Sequence, residues 1–269
     1  MIVNGLKHIL GAICYYGGID SLFYWLNRRA KRVVTFHNVL PDGLMTREGK
    51  LPVALTESAF WGIVREATRF LVADTDLDAK GTLTITFDDG YLNQYEVVPK
   101  VLQREGVNAA VLFVSDDVVT TGTLSVDVDL HRGLSYSDEY RRLRLTGVTL
   151  NQIEDLRSRG WKVGYHTKHH LRLSEMTTAE KREALRPPKW LKDNILSYPF
   201  GKPKDVDRES VEIAAEFGYE KAYSNQCEND GFHCRHFLPR MVLFPDKYWI
   251  HFELSGAKYF FKWRRLLPR

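Results

Sequence analysis

Two adjacent carboxylates, Asp88 and Asp89, follow the run Thr84-Ile85-Thr86-Phe87 and precede Gly90. Neighbouring side chains diverge where a chain turns off a strand, so one carboxylate can bind a cation while the other stays free to accept a proton. Asp-Asp-Gly is also a common turn sequence, and alone it leaves that plainer reading open. Gly164-Tyr165-His166-Thr167-Lys168-His169-His170 adds imidazoles at i and i+4, a spacing that one helical turn or a tight loop can direct at a single ion. His166 and His170 with Asp89 supply two nitrogens and one oxygen, the donor set of catalytic zinc sites that keep a position open for water. The same set suits non-haem Fe(II), so the donors alone do not fix the metal. His169 competes with His170, and the i,i+4 spacing favours His170.

These residues need a scaffold that gathers them. Short β-branched or aromatic runs at 33–37, 83–87, 109–114, 161–165, 195–198 and 222–223 read as strands. Between them lie helical patterns at 57–72, with Thr56 as N-cap, and at 95–104, 179–191 and 208–217. A further helix opens on a Thr149/Gln152 capping box and stops at Gly160. Alternating strands and helices predict βαβ units and a parallel sheet, open or closed into a barrel. In a barrel the reactive residues gather at the C-terminal strand ends. His37, Asp88, Asp89, His166 and Pro199 all stand at such ends.

Thr86-Phe87-Asp88-Asp89-Gly90, His166-Thr167 followed by His170 and Leu173, and Tyr198-Pro199-Phe200-Gly201 resemble, in order and placement, the motifs of the polysaccharide deacetylase family, the NodB-homology group of carbohydrate esterases. The resemblance implies an irregular (β/α)7-type barrel and metal-dependent hydrolysis of N- or O-acyl groups on sugars. It implies Asp88 as catalytic base and Asp89, His166 and His170 as metal ligands. The general acid of ordinary members is a histidine on a late strand, and no match follows residue 201. In members that resemble circular permutations the equivalent strand comes first. Thr35-Phe36-His37-Asn38-Val39 resembles that strand and makes His37 the candidate acid; otherwise His37 is a hydrogen-bonded structural residue. Where the family often has an arginine that orients the catalytic Asp, this sequence has Ser197. Arg240, in Leu238-Pro239-Arg240-Met241-Val242, is the candidate replacement; Arg186 falls at a helix end too soon after His170. The family's fourth motif, an Asp near a Trp, is not recognisable.

The chain has 269 residues and a mass of 31.2 kDa, enough for one or two domains. Because the motifs must meet around one ion, we expect a single barrel over 33–245, flanked by a helical, basic 1–32 and a basic, aromatic 246–269. Apolar residues at 44% and charged residues at 27% exclude collagen-like and disordered classes. A balance of 38 Lys+Arg against 34 Asp+Glu leaves +4, too little to make nucleic acid the main partner. Cys14, Cys227 and Cys234 are too few for a disulfide framework. The loop carrying Cys227, His233, Cys234 and His236 lacks the short ligand pairs of structural zinc sites. Trp61, Trp190 and Trp249 have no spacing that favours sugar stacking.

The apolar run at 9–16 is far short of the roughly 20 residues that span a bilayer, and no small-residue cleavage site follows it. We therefore expect a cytoplasmic protein, peripheral at the inner membrane surface through Tyr259, Phe260, Phe261 and Trp263 interleaved with Lys258, Lys262, Arg264, Arg265 and Arg269. The plainer reading of that segment is a docked helix with a solvated basic face. The expected substrate is an acylated saccharide, N-acetylated first of all, in envelope polysaccharide synthesis or as a lipid-linked sugar. The expected cofactor is a divalent metal ion, zinc ahead of nickel, cobalt or iron. The competing readings are a non-catalytic carbohydrate- or metal-binding protein, supported by Ser197, and an Fe(II) oxygenase, which the Asp-before-His order disfavours.

Overall fold

The computed structural model of the protein describes residues 2–44, 54–130, 136–225 and 234–263. Its strands are β1 (Arg32–Phe36), β2 (Asn38–Leu40), β3 (Ala54–Thr56), β4 (Val72–Ala73), β5 (Thr82–Phe87), β6 (Val111–Val114), β7 (Lys162–Tyr165), β8 (Ile195–Ser197), β9 (Lys221–Tyr223) and β10 (Met241–Val242). The central strands are continuous apolar and β-branched runs, as a parallel sheet covered on both faces requires: β1 and β6 are buried along their whole lengths. The main sheet runs β10-β1-β5-β6-β7-β8-β9, with β4 beside β5, and β2 pairs with β3 separately. Every ladder of the main sheet is parallel, so its strands all point the same way.

The register decides which residues meet. Phe36 stands opposite Phe87, Val114 opposite Tyr165, and Ser197 opposite Tyr223. His37, Asp88, Ser115, His166 and Ser224 therefore leave the sheet at one end. The segment 238–242 curls the sheet round on itself. Leu238 donates to the Ala222 carbonyl at 2.8 Å and accepts from Ser224 N–H at 2.8 Å, while Met241 and Val242 pair with Val34 and Thr35 of β1. The fold is the parallel sheet that the alternation of strands and helices predicts, curled into the irregular barrel that the family resemblance implies.

Helix starts follow their caps. Thr56 accepts from Ala59 N–H at 3.2 Å and opens the helix Glu57–Thr68, and the Thr149/Gln152 capping box is made in both directions. Three helices are shorter than their sequence patterns. The run 57–72 ends at Thr68, and Val72 instead opens β4, which pairs with β5. The run 95–104 is split into Asn93–Glu96 and Val98–Gln103, because the Pro99 ring clashes with the carbonyl four residues back. The run 179–191 stops at Leu185, because Pro187 and Pro188 cannot continue a helix.

The two flanks form one helical layer. In it, α1 (Ile2–Tyr16) and α2 (Ile19–Leu26) meet at Gly17-Gly18 with a bend of 83°. α1 lies along the helix Lys247–Ser255, which packs in turn on α3 (Glu57–Thr68). The approach is close enough that a Cβ at Gly11 would stand 2.9 Å from the Tyr248 carbonyl oxygen. Buried Cys14, Phe252 and Ala257 seal the contact. Among the described residues no single helix is long and apolar enough to cross a membrane.

Candidate active site

The strand ends bring two charge systems together. In the first, Arg240 and Asp88, both wholly buried, form a bidentate pair: Nη1 donates to Oδ1 at 2.8 Å and Nη2 to Oδ2 at 2.6 Å. Arg240 also donates to Thr86 Oγ1 at 3.1 Å, Ser224 O at 3.1 Å, Ser197 Oγ at 2.7 Å and Asn225 Oδ1. Burial alone would raise the Asp88 carboxyl, but the Arg240 guanidinium, with His166 and His37 near by, holds it well below the usual carboxylate range. The arginine absent at position 197 is thus supplied by Arg240, and Ser197 becomes one of its acceptors.

In the second system, Asp89, His166 and His170 place one ligand atom each within 4.8 Å of one another. Asp89 Oδ1 lies 3.6 Å from His166 Nε2 and 3.4 Å from His170 Nε2, spacings that suit ligands about 2.0–2.2 Å from a shared tetrahedral ion. Oδ1 is buried without a hydrogen-bond partner, which is costly unless a cation completes it. His166 Nδ1 stands 2.7 Å from the Ser197 carbonyl; it must donate there, which leaves the Nε2 lone pair facing Asp89. Burial pushes the His166 imidazolium down to about 4, against the pull of Asp88, so the ring is neutral at pH 7 as a metal ligand must be. These residues fit a divalent ion.

Backbone geometry supports the same location. Among the described residues the non-glycine positions with positive φ are Asp89, Thr167, His170 and Phe200. Each costs about 1–3 kcal/mol in isolation, and neighbouring loops hold them: Asp89 O accepts from Ser115 N–H, and Thr167 O from Asp116 N–H.

His37 lines a cavity of about 350 Å³ together with Asp89, His170, Arg144, Phe200 and Asn225. An adjoining recess of about 630 Å³ shares His170, Arg172 and Phe200, so the site opens into a groove. The structure turns His169 away to Asp117, 2.9 Å distant, and it is His170 that approaches Asp89. Arg186 pairs with Glu183 away from the site. The indoles of Trp61 and Trp190 donate to Glu105 and Asp116, and Trp249 packs near Phe244; none of the three lines the cavity. In the late loop, His236 has Nε2 2.7 Å from the Tyr219 carbonyl, a structural bond. Cys227, His233, Arg264, Arg265 and Arg269 lie outside the described residues.

Two sets of residues at the site carry no sequence signal that we could read. Gln94 accepts from Gly90 and Tyr91 N–H and donates to the His37 and Asp88 carbonyls, clamping the loops after β1 and β5 together. Arg144, buried on the cavity wall, pairs with Asp127 at 3.1 Å and lies over the Tyr91 ring. Gln94 sits in the helix Asn93–Glu96 and Arg144 in the helix Asp138–Leu145, both outside the helical patterns read from the sequence.

Residues 76–222 match the family model described as polysaccharide deacetylase. This is more than half of the chain, and the protein belongs to the polysaccharide deacetylase family. The match contains Asp88, Asp89, His166 and His170 and leaves out the strands that carry His37 and Arg240. A Bacillus subtilis (strain 168) protein provisionally named as a polysaccharide deacetylase, YxkH, is 25% identical over 169 residues, which are 60% of this chain and 50% of that protein. The chain thus spans about half the length of this curated relative. Among solved structures, the Streptococcus pyogenes deacetylase PplD, in complex with acetate, superposes with a TM-score of 0.61 at 16% identity over 80% of this chain and 93% of its own. IcaB from Ammonifex degensii gives 0.53 at 17% identity over 85% and 96%. These likenesses establish the shared fold.

Proposed function

We propose that the protein is a metal-dependent hydrolase that removes an acyl group, N-acetyl first of all, from a saccharide. The observation that carries this reading is the pairing of an ionised, arginine-held carboxylate with an adjacent two-histidine, one-carboxylate ion site. Asp89, His166 and His170 would hold the ion; two nitrogens and one oxygen suit zinc first, with nickel, cobalt and iron as alternatives. When bound, a divalent ion lowers the pKa of water and polarises the acyl carbonyl. Arg240 keeps Asp88 charged; Oδ2 accepts from both Arg240 and Ser197 Oγ, whereas Oδ1 accepts from Arg240 and retains a lone pair with which Asp88 can accept the proton of the attacking water. His37, on the same cavity wall as Asp89, protonates the leaving nitrogen.

Exposed Lys202 and Lys204 on the cavity wall support a saccharide that carries an anionic group, such as the phosphate of a lipid-linked sugar. The non-catalytic reading rested on Ser197, and Arg240 removes that support. Metal analysis followed by acetate release from a panel of N-acetylated amino sugars tests the proposal. We expect release by the wild type, and retained metal without release by Asp88→Asn. Bound metal with no acyl release from any substrate would overturn it.

A further inference from the structure

The helices α1 and α2 are apolar on two sides, and the helices of the C-terminal flank cover only one. Inward, Leu10, Cys14, Ile19 and Phe23 pack with Phe252 and Ala257. Outward, Ile9, Ile13 and Tyr16 repeat at i, i+4 and i+7 along α1, and Leu22, Trp25 and Leu26 repeat at i, i+3 and i+4 along α2. Each of these six is more than half exposed. A helix apolar all round belongs in a core or a bilayer, and a large exposed apolar patch marks an interaction surface.

The charges around this face are mostly positive, with exposed Asp76 and Asp78 and half-buried Asp246 the acids at its margin. Residues 1–41 contain a single acid, Asp20, and residues 247–269 a single acid, Glu253. Both are buried, Asp20 against Ser255 and Glu253 against Lys258. Arg28, Arg29 and Lys247 are exposed, and the sequence continues into Lys262, Arg264, Arg265 and Arg269. The Arg28 guanidinium lies 5.1 Å over the Trp25 ring, an aromatic and a cation presented together. Beside the layer, a recess of about 440 Å³ is lined by Lys31, Lys221, Arg235 and Tyr259, with Asp78 paired to Lys221. The Lys31 Nζ there is buried without a partner.

From this juxtaposition we infer that α1 and α2 form a membrane-docking face, which lies in the interface of a bilayer rich in anionic lipid without crossing it. A second copy of the chain fits worse: a two-fold contact sets a patch against itself, and here it would bring the exposed cations Arg28, Arg29 and Lys247 together, while the exposed acids Asp76 and Asp78 lie off α1 and α2 with Asp78 already paired to Lys221. Neither helix alone is long enough to span a bilayer, and the 83° bend between them keeps the apolar pair from forming one straight span, whereas an interfacial helix needs only an apolar face and flanking cations. The docked face also reaches the catalytic end of the barrel. Thr35 pairs with Val242, so exposed Phe244 stands level with His37, and α1 begins at that end with His8 against Asp246.

Co-sedimentation of the full chain with vesicles tests this independently of catalysis. The vesicles are phosphatidylcholine alone and an equal mixture with phosphatidylglycerol. We expect the wild type to pellet with the mixed vesicles, less so in high salt, and to stay in solution with phosphatidylcholine. Ile13→Ser/Trp25→Ser should remain in the supernatant with an unchanged circular dichroism spectrum. Arg28→Gln/Arg29→Gln should bind about fivefold more weakly per cation removed, from roughly 1 kcal/mol for each Lys or Arg at an anionic surface. Binding that is absent, or that the paired apolar substitutions leave intact, overturns the inference. So does a wild-type dimer in sedimentation equilibrium that Ile13→Ser/Trp25→Ser converts to monomer.

Discussion

Arg240→Met removes the counter-ion of a wholly buried carboxylate and leaves the Thr86, Ser197, Ser224 and Asn225 acceptors without their donor. Breaking one side of a buried ion pair costs about 3–5 kcal/mol. At about 2–4 °C per kcal/mol for a chain of this size, the thermal midpoint should fall by about 6–20 °C. The sign of the pH dependence is a sharper signature than the size of the loss. In the wild type the Asp88 carboxyl lies below its ordinary value. Its contribution is therefore present above the unfolded pKa of about 3.9 and is lost only as the pH falls through the lower folded value. Without Arg240 burial dominates and the carboxyl rises, so the variant gains on the wild type as the pH is lowered towards the unfolded value. Urea unfolding at pH 8 and pH 5 should show the deficit shrinking by about 1 kcal/mol or more at the lower pH. Adding Asp88→Asn removes the stranded charge, and the double variant should cost less than the two single variants summed, by about 0.5–3 kcal/mol. Additive costs together with a deficit equal at both pH values would refute the reasoning.

Three further substitutions probe other levels of the structure. His37→Gln should depress acetyl release by about 100-fold or more, as expected for loss of a general acid, while metal content measured by elemental analysis stays at the wild-type level; unchanged turnover removes His37 from the mechanism. Gly164→Ala should destabilise the fold by about 1–3 kcal/mol in denaturant, because its Cβ would stand 2.6 Å from Ile195 Cγ1 and 2.7 Å from the Ile195 carbonyl oxygen. Burial raises the Asp20 carboxyl to about 6, so its ionisation costs stability as the pH rises from about 4 to about 6, and the cost persists above that. Asp20→Asn keeps an acceptor for Ser255 and should stabilise the protein by about 1–2 kcal/mol at pH 8 but not at pH 4.

How much of this was legible in the sequence follows from the range of each interaction. Asp88, Asp89, His166 and His170 are readable because their meaning is local: Asp88-Asp89 and His166 follow directly on strands, His170 lies four residues beyond His166, and parallel strands deliver their ends to one place. Arg240 is readable only as a residue beside a short strand, because its partner lies 152 positions away and no periodicity links them. Gln94, Arg144 and Asp127 are silent for the same reason, since a buried polar network between helices leaves no pattern in either helix. The breaks before Pro99 and Pro187 are legible from the imino ring alone, and reading apolar periodicity across them produces helices that are too long. The terminal segments show the opposite limit. Their aromatic and basic composition is plain, yet composition does not reveal that Lys258 turns inward to Glu253 while Trp25 turns outward.

The segment 238–242 both closes the barrel and carries the arginine that ionises Asp88. During synthesis the ion-binding side chains emerge on the chain well before residue 240 does, and closure over so long a separation comes late in folding. On the proposed mechanism, Asp89, His166 and His170 would thus be on the chain before Asp88 has its counter-ion. On that mechanism, competence would arrive only with the final strand, which supplies the counter-ion of Asp88.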